Sequence, residues 1–196
     1  MAKKIAKPLR LSGYSKVNQY DDDVIKRMAG HYREVLKDLG EDPEREGLLK
    51  TPERLAKAMQ FLTQGYHLDA KAIINSAKFQ EPGSEMIVVK DIELYSMCEH
   101  HMLPFIGKAH VAYISNGHVV GLSKINRLVN FYAKRPQVQE RMTHQIAQAL
   151  EQYLRPEAWG VKVVGTHTCM SHRGVKTPQV PVTTTVLGGR WKDDPP

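Results

Sequence analysis

The chain has 196 residues, 41% of them hydrophobic and 25% charged, and a net charge of +7 with histidine counted as neutral. This length and composition are typical of one soluble globular domain, with or without a helical appendage. No apolar run approaches the roughly 18 residues that a membrane-spanning helix requires. The basic residues 1–7 lack the apolar core of a signal peptide. A cytoplasmic, reducing location without a membrane partner is therefore expected.

The positive charge predicts an anionic partner, either nucleic acid or a small phosphorylated substrate. Lysine and arginine are spread along the sequence rather than gathered on a basic helix with interleaved aromatic residues. A triphosphate explains the charge at least as well, and no nucleic-acid partner is expected. Residues 1–20 hold several of the lysines, show no sustained hydrophobic periodicity and are interpreted as a flexible basic arm.

An N-terminal helical region is predicted for residues 21–83. Apolar residues recur at steps of three and four from Val24 to Leu39, after the acidic residues Asp21 to Asp23 and before Gly40. This pattern predicts one amphipathic helix with an acidic cap and a glycine stop.

A second helix is predicted to open with Thr51 as its N-cap and Pro52 in the first helical position, and to close at Gly65. Arg54 lies in its exposed first turn and, on periodicity alone, is a solvated surface charge. The rest of the region, up to Gly83, is interpreted as a transition to the next domain.

Residues 84–191 are predicted to form that domain. Strands are predicted from β-branched and alternating runs at residues 86–89, 92–95, 110–114, 161–164 and 182–187. Two helices are predicted between them, one with Ser123 as its N-cap and one starting at Pro136. This order indicates an α+β fold, an antiparallel sheet backed by helices. Residues 192–196 form a C-terminal tail.

A thiol, a carboxylate and two imidazoles lie together at Cys98, Glu99, His100 and His101, and the chain's other cysteine, Cys169, follows another histidine. Thiolate sulfur and imidazole nitrogen are ligands that zinc prefers. Three ligands, Cys98, His101 and Cys169, would leave a fourth position for water, which is typical of a catalytic site.

Two other interpretations of the cysteines remain open at this point. A lone cysteine is often only a small buried apolar residue. A Cys98–Cys169 disulfide is the second alternative, and it is disfavoured because nothing else marks the chain as secreted.

Five separated motifs lie at residues 46–54, Cys98-Glu99-His100-His101, residues 121–127, residues 135–141 and residues 166–170. Together and in this order they resemble the type I GTP cyclohydrolases, zinc enzymes that open folate and pterin biosynthesis. The resemblance runs from about Asp21 to Trp191 and implies that Cys98, His101 and Cys169 bind one Zn²⁺ per subunit. It also implies a cytoplasmic hydrolase that converts GTP to 7,8-dihydroneopterin triphosphate and formate.

The resemblance implies roles for further residues. His100 and His167 are expected to be the acid–base pair of purine ring opening, with Ser123 assisting the later ribose rearrangement. Alternatively, the two histidines could only support the zinc ligands, and the serine could only cap its helix. Glu140, flanked by Gln139, is expected to accept hydrogen bonds from guanine.

Four basic residues match the family's triphosphate contacts. They are Lys124, Arg127, Arg173 and, from a neighbouring subunit, Arg54. The resemblance further implies a tunnelling fold, in which the sheets of several subunits close into a barrel. The expected assembly is a homodecamer of two pentamers with active sites between subunits.

Two alternative functions stay open on the sequence. One is a zinc enzyme of the same fold that stops at a formamidopyrimidine product. The other is a non-catalytic, GTP-binding homologue. Retention of Ser123 and His167 speaks against the first, and the intact ligands and both histidines speak against the second.

Overall fold

The computed structural model describes residues 20–83, 85–177 and 180–196. One compact unit ends at Gln64, and residues from Gly65 onward belong to a second unit. The predicted basic arm lies outside the described residues except for Tyr20. The predicted domain boundary at residue 83 stays a prediction. The border between the compact units lies between Gln64 and Gly65.

The N-terminal unit contains two helices, α1 (Asp22–Asp38) and α2 (Thr51–Leu62). The Asp21 carboxylate caps α1 by accepting a hydrogen bond of 3.0 Å from the Val24 amide. Gly40 follows the last turn with a φ of +84°, a left-handed conformation that glycine adopts without strain. Both predicted ends of this helix are confirmed.

The predicted N-cap of α2 is wrong by one residue. Lys50 occupies the cap position and Thr51 is already helical. The Thr51 hydroxyl donates back to the Gly47 carbonyl, 3.4 Å away, instead of capping a first-turn amide. Pro52 nevertheless lies in the first turn, where its missing N–H costs nothing.

The second unit is built on a five-stranded sheet in the order β5-β2-β3-β6-β7. Its strands are β2 (Met86–Cys98), β3 (Pro104–Ile114), β5 (Pro136–Gln137), β6 (Ala158–His167) and β7 (Val182–Gly189). Neighbouring strands are antiparallel except that β5 runs parallel to β2. The α+β class is confirmed. The strands predicted at 86–89 and 92–95 are one strand, interrupted by a bulge between Val89 and Ile92.

A small second sheet pairs β1 (Lys78–Gln80) with β4 (His118–Val120). The helix α3 (Ala70–Asn75) precedes β1. Of these elements, α3 and β1 lie in the predicted transition segment. With six and three residues they are too short for hydrophobic periodicity to reveal.

Helices α4 (Leu122–Ala133) and α5 (Gln139–Ala149) pack against the sheet, and a π-helical turn, Leu150–Leu154, extends α5. Two predicted starts are wrong. Gly121, not Ser123, caps α4, and Pro136 lies in β5, so α5 begins three residues later. Proline fits there because β5 is a short edge strand.

The core lies between this sheet and its helices. Fully buried side chains of both layers meet there: Leu94, Phe105, Val111 and Val163 from the strands, and Ile125, Leu128, Met142 and Ile146 from the helices. The chain continues through α6 (Thr168–Ser171) and ends in a 3₁₀ turn, Arg190–Lys192. In the part of the chain that the structure describes, no helix has the length and apolarity to cross a membrane.

Candidate metal centre and catalytic site

The turn between β2 and β3 presents the first two candidate ligands. Cys98 is the last residue of β2, and its amide donates to the Leu103 carbonyl at 2.8 Å. The Glu99 amide donates to the carbonyl of Gln137 at 3.0 Å. These bonds fix the turn to the sheet on one side and to β5 on the other. Cys98 is buried, whereas His101 is exposed to solvent.

Antiparallel pairing of β3 with β6 brings the third candidate to the same place. Phe105 pairs with His167 in the sheet register, so the end of β6 lies beside the start of β3. The Thr168 hydroxyl donates to the Pro104 carbonyl at 2.5 Å and fixes the first residue of α6. Cys169 follows immediately.

Cys98, His101 and Cys169 offer one ligand atom each, and these atoms all lie within 4.8 Å of one another. The Sγ atom of Cys98 is 3.9 Å from Nδ1 of His101. Both cysteines are free, so the disulfide alternative is not what the structure has. The three side chains that the sequence predicted as ligands are brought together.

The protonation of the thiols tests whether this group fits a cation. Burial raises the pKa of Cys169, and the neighbouring Cys98 thiol raises it further, while the positive charge of Arg173 lowers it. The Cys169 thiol therefore resists ionisation when no further positive charge lies beside it. A thiophilic divalent cation would remove this penalty, because thiolates bind it directly. The donor set fits a metal such as zinc.

His100 lies at the solvent side of this group. Its Nδ1 is 3.8 Å from the Cys98 sulfur, its Nε2 is 3.9 Å from the Glu99 carboxylate, and its side chain is 66% exposed. The same carboxylate pairs with Arg141 of α5. The ion pair connects the metal-binding turn to the helix.

His167 is held much more closely. Its ring stacks on Phe105, with ring centroids 4.4 Å apart and planes 14° from parallel. Its Nε2 lies 2.9 Å from Oε1 of Gln139. Burial lowers the pKa of His167, and the negative charge of Glu140 opposes this shift. The neutral imidazole is thereby favoured near neutral pH.

The first two residues of α5 have opposite environments. Gln139 is 1% exposed, and its amide is engaged with Val163, Val182, Thr184 and His167. Glu140 is exposed beside it. A substrate contact by Gln139 stays a prediction, and its hydrogen bonds favour a different role. Its position three residues before Met142 places it on the buried stripe of α5, which is the sequence signal that could have revealed this.

The predicted phosphate ligands are dispersed. Ser123, Lys124 and Arg127 lie in the first two turns of α4, where Lys124 is buried despite its charge. Arg173 follows α6 and is near enough to affect the Cys169 thiol. Arg54 lies on the first turn of α2, in the other compact unit, and is exposed.

The fold and the site together define an α+β protein in which two sulfurs and one nitrogen that could hold a metal ion lie at one end of the sheet, beside two further histidines. The family model described as GTP cyclohydrolase I matches residues 28–196. The chain belongs to the GTP cyclohydrolase I family.

Its relatives are similar over most of their length. A protein of Bacteroides fragilis named GTP cyclohydrolase 1 is 56% identical over 161 residues, 82% of each chain. That of Parabacteroides distasonis is 53% identical over 176 residues, 89% of this chain and 90% of its own. That of Chlorobaculum tepidum is 52% identical over 169 residues, 86% of this chain and 75% of its own.

Proposed function

We propose that the chain is a GTP cyclohydrolase I, which opens the imidazole ring of guanine in GTP by hydrolysis. It would release formate and rearrange the ribose to give 7,8-dihydroneopterin triphosphate, the first step of tetrahydrofolate and pterin biosynthesis. The observation that carries the proposal is the grouping of Cys98, His101 and Cys169 within 4.8 Å in a member of this family.

Cys98, His101 and Cys169 would hold one zinc ion per subunit, since two sulfurs and one imidazole suit zinc and leave a coordination position open. A bound zinc ion supplies Lewis-acid activation of the hydrolytic water. Both cysteines must remain reduced to act as ligands. This requirement supports a reducing compartment such as the cytoplasm.

The two histidines would move the protons of ring opening and formate release. His167 is partly buried, which lowers its pKa and favours the neutral ring, so it can accept a proton near neutral pH. His100 is largely exposed and can exchange protons with solvent. Ser123, exposed on α4, would take part in the later ribose rearrangement.

Glu140 would recognise the base. Its exposed carboxylate is an acceptor that matches the ring N–H and 2-amino group of guanine. Adenine lacks this pair of donors and would leave the carboxylate unpaired, so a carboxylate here selects guanine.

Lys124, Arg127 and Arg173 would bind the triphosphate, with Arg54 supplied by a neighbouring subunit. Lys124 is at the N-terminal end of a twelve-residue helix, where the helix dipole also favours an anion. The charge of Arg173 reaches Cys169, which supports a triphosphate bound next to the metal group.

The protein would work as a homo-oligomer, a decamer of two pentamers whose active sites lie between subunits. Within the described residues, β7 is the last strand at one edge of the sheet, and β5 covers β2 only at Met97 and Cys98. Uncovered edges favour pairing with another copy. Activity that falls on dilution, together with the mass measured by light scattering, would support this assembly, and a fully active monomer would contradict it.

The test of the proposed function is fluorescence detection of the pterin product from GTP, with and without a metal chelator. We expect product from the untreated protein, loss of product with chelator and recovery on adding Zn²⁺. Cys169→Ala should form no product above background. Product formation by this variant at the normal rate would remove metal-dependent catalysis from the proposal.

A further inference from the structure

Gln139 lies between three structural elements and has only one orientation that satisfies its neighbours. Its Nε2 is 2.9 Å from the Val182 carbonyl and 3.3 Å from the Val163 carbonyl. Carbonyl oxygens only accept hydrogen bonds, so the NH₂ group must face them. A rotated amide would place its oxygen against two oxygens. The side-chain oxygen Oε1 therefore faces His167.

A second set of contacts agrees with this orientation. The Thr143 hydroxyl is 2.8 Å from the backbone carbonyl of Gln139 and must donate to it. Since the proton of Thr143 is used, Thr184, 2.6 Å away, must donate to Thr143. The Thr184 oxygen is then left to accept from Nε2 of Gln139, at 3.2 Å. The two hydrogens of Nε2 are thus shared among three acceptors, of which the Val163 carbonyl is the most distant at 3.3 Å.

The orientation of the amide decides the protonation of the imidazole. Oε1 of Gln139 can only accept, so Nε2 of His167, 2.9 Å away, must carry a hydrogen. In the neutral ring the other nitrogen, Nδ1, is then without one. When Nδ1 takes up a proton, Nε2 still donates to Gln139, so the bond survives the transfer.

The surrounding packing leaves little freedom for this pair. Phe105 stacks on the imidazole, and the chain passes Oε1 at Gly165. A β-carbon at Gly165 would lie 2.6 Å from Oε1, so only glycine allows the close approach.

We propose that Gln139 is a positioning residue for His167: its side-chain oxygen keeps the imidazole proton on Nε2 and reserves Nδ1 for proton exchange with the substrate. The inference rests on the proposed function and deepens it. It also gives Gln139 a role other than the expected contact with guanine. Such a contact would require an amide that is free to turn toward the ligand.

The decisive readout is the tautomer of His167, measured by solid-state ¹⁵N NMR on the intact, zinc-loaded protein labelled at histidine. The chain has nine histidines, and the spectrum of His167→Gln assigns the signal of interest by difference. We expect the wild type to show a neutral ring protonated at Nε2. A ring protonated at Nδ1 would overturn the proposal.

Gln139→Met removes the acceptor while retaining the length of the side chain. We expect loss of the single tautomer and a decrease in kcat of about 10- to 100-fold, at or below the lower end of the roughly 10²–10⁴-fold contribution of acid–base catalysis, because His167 itself remains. KM for GTP should change by less than about threefold, because ground-state binding is untouched. A raised KM with unchanged kcat would instead assign Gln139 to substrate binding and overturn the proposal.

Three further variants separate positioning from general packing. Gln139→Glu, as a neutral carboxyl, still donates to Val182 and accepts from His167, so it should restore part of kcat. Thr184→Val removes one bond of the chain but leaves both carbonyls to orient the amide, so kcat should fall less than threefold.

Gln145→Met is the matched control, because this glutamine of α5 accepts a hydrogen bond from the side-chain amide of Gln137 at 2.9 Å.

Each outcome has a distinct meaning. Equal loss of kcat in Gln139→Met and Thr184→Val, with the wild-type tautomer retained in both, would identify packing as the cause and overturn positioning. A wild-type protein without cyclohydrolase activity would contradict the proposed function, whereas the tautomer would still decide the assignment of the hydrogen bonds.

Discussion

The turn that carries the candidate metal ligands and the hydrogen-bond chain of Gln139 meet at the end of β6 but are built in different ways. The turn places Cys98, His100 and His101 on a short connection that reaches solvent. The chain of Gln139, Thr143 and Thr184 crosses from α5 to β7 in the interior. In the proposed mechanism, the first region would supply the atoms that bind the metal and react, and the second would fix the position of a single proton on His167.

This difference in construction implies that substitutions in the two regions have different effects. Loss of a proposed ligand is expected to release the metal, since the remaining donors would no longer enclose it. Loss of a hydrogen bond to Gln139 is expected to leave the proposed ligands intact but to free the His167 imidazole to take either tautomer. Substitutions in the turn should therefore lower metal content and turnover together. Substitutions in the buried chain should lower turnover alone.

The largest effect is expected for Cys98→Ala. The variant should contain much less than one zinc per chain, measured by mass spectrometry of the metal, and its turnover should fall to background. Gln139→Met is the comparison, since it should keep its zinc and lose only turnover. Full zinc content in Cys98→Ala would show that the ion is bound elsewhere.

An intermediate effect is expected for Gly165→Ala. The new methyl group would meet Oε1 of Gln139 at 2.6 Å and force the amide away from His167. Overpacking of this kind costs about 1–3 kcal/mol. We expect a lower unfolding temperature and kcat reduced about tenfold, less than the roughly 100-fold lower limit for complete loss of acid–base catalysis, because His167 is retained.

Gly30→Ala is the matched control for that substitution. Gly30 lies inside α1, and a β-carbon there meets nothing within 4 Å. Alanine in a helix interior is better than glycine by about 0.5–1 kcal/mol, so this variant should be slightly more stable and fully active. A loss of kcat in Gly30→Ala equal to that in Gly165→Ala would remove the steric explanation.

The same contrast explains what could be predicted from the sequence. The chemistry of Cys98, His101 and Cys169 is contained in their residue types, and the acid–glycine boundaries of α1 are local signals. The role of Gln139 depends on carbonyls of β6 and β7, up to 43 residues away along the chain. No local sequence pattern predicts which backbone carbonyls will accept hydrogen bonds from the side-chain amide of Gln139.

Smaller errors have two origins. Thr51 and Ser123 are both good cap residues, yet the residue before Thr51 and the second residue before Ser123 take the cap positions. For Thr51 a competing local partner, the Gly47 carbonyl, takes the hydroxyl. The strand β5 depends on its pairing with Met97 and Cys98, a tertiary contact that no local pattern announces.

The smallest effect is expected for the pH dependence of stability. Burial lowers the pKa of His167 in the folded protein, so on acidification the unfolded chain takes up this proton first, near the ordinary value of about 6.5. The unfolded state then binds more protons, and the free energy of unfolding falls as the pH falls. Above that pH the neutral ring dominates in the folded and the unfolded state. His167 then contributes nothing to the pH dependence of the free energy of unfolding.

Chemical denaturation of the wild type and of His167→Gln between pH 5 and pH 8 isolates the contribution of His167 to the free energy of unfolding. Release of metal from Cys98 and Cys169 on acidification affects both proteins, so it cancels in the difference. The wild type should lose more stability than the variant as the pH falls through the ordinary pKa of histidine. Parallel curves would mean that the Glu140 carboxylate, which raises the pKa of His167, fully offsets burial. The buried chain would then constrain the position of the proton without altering its affinity.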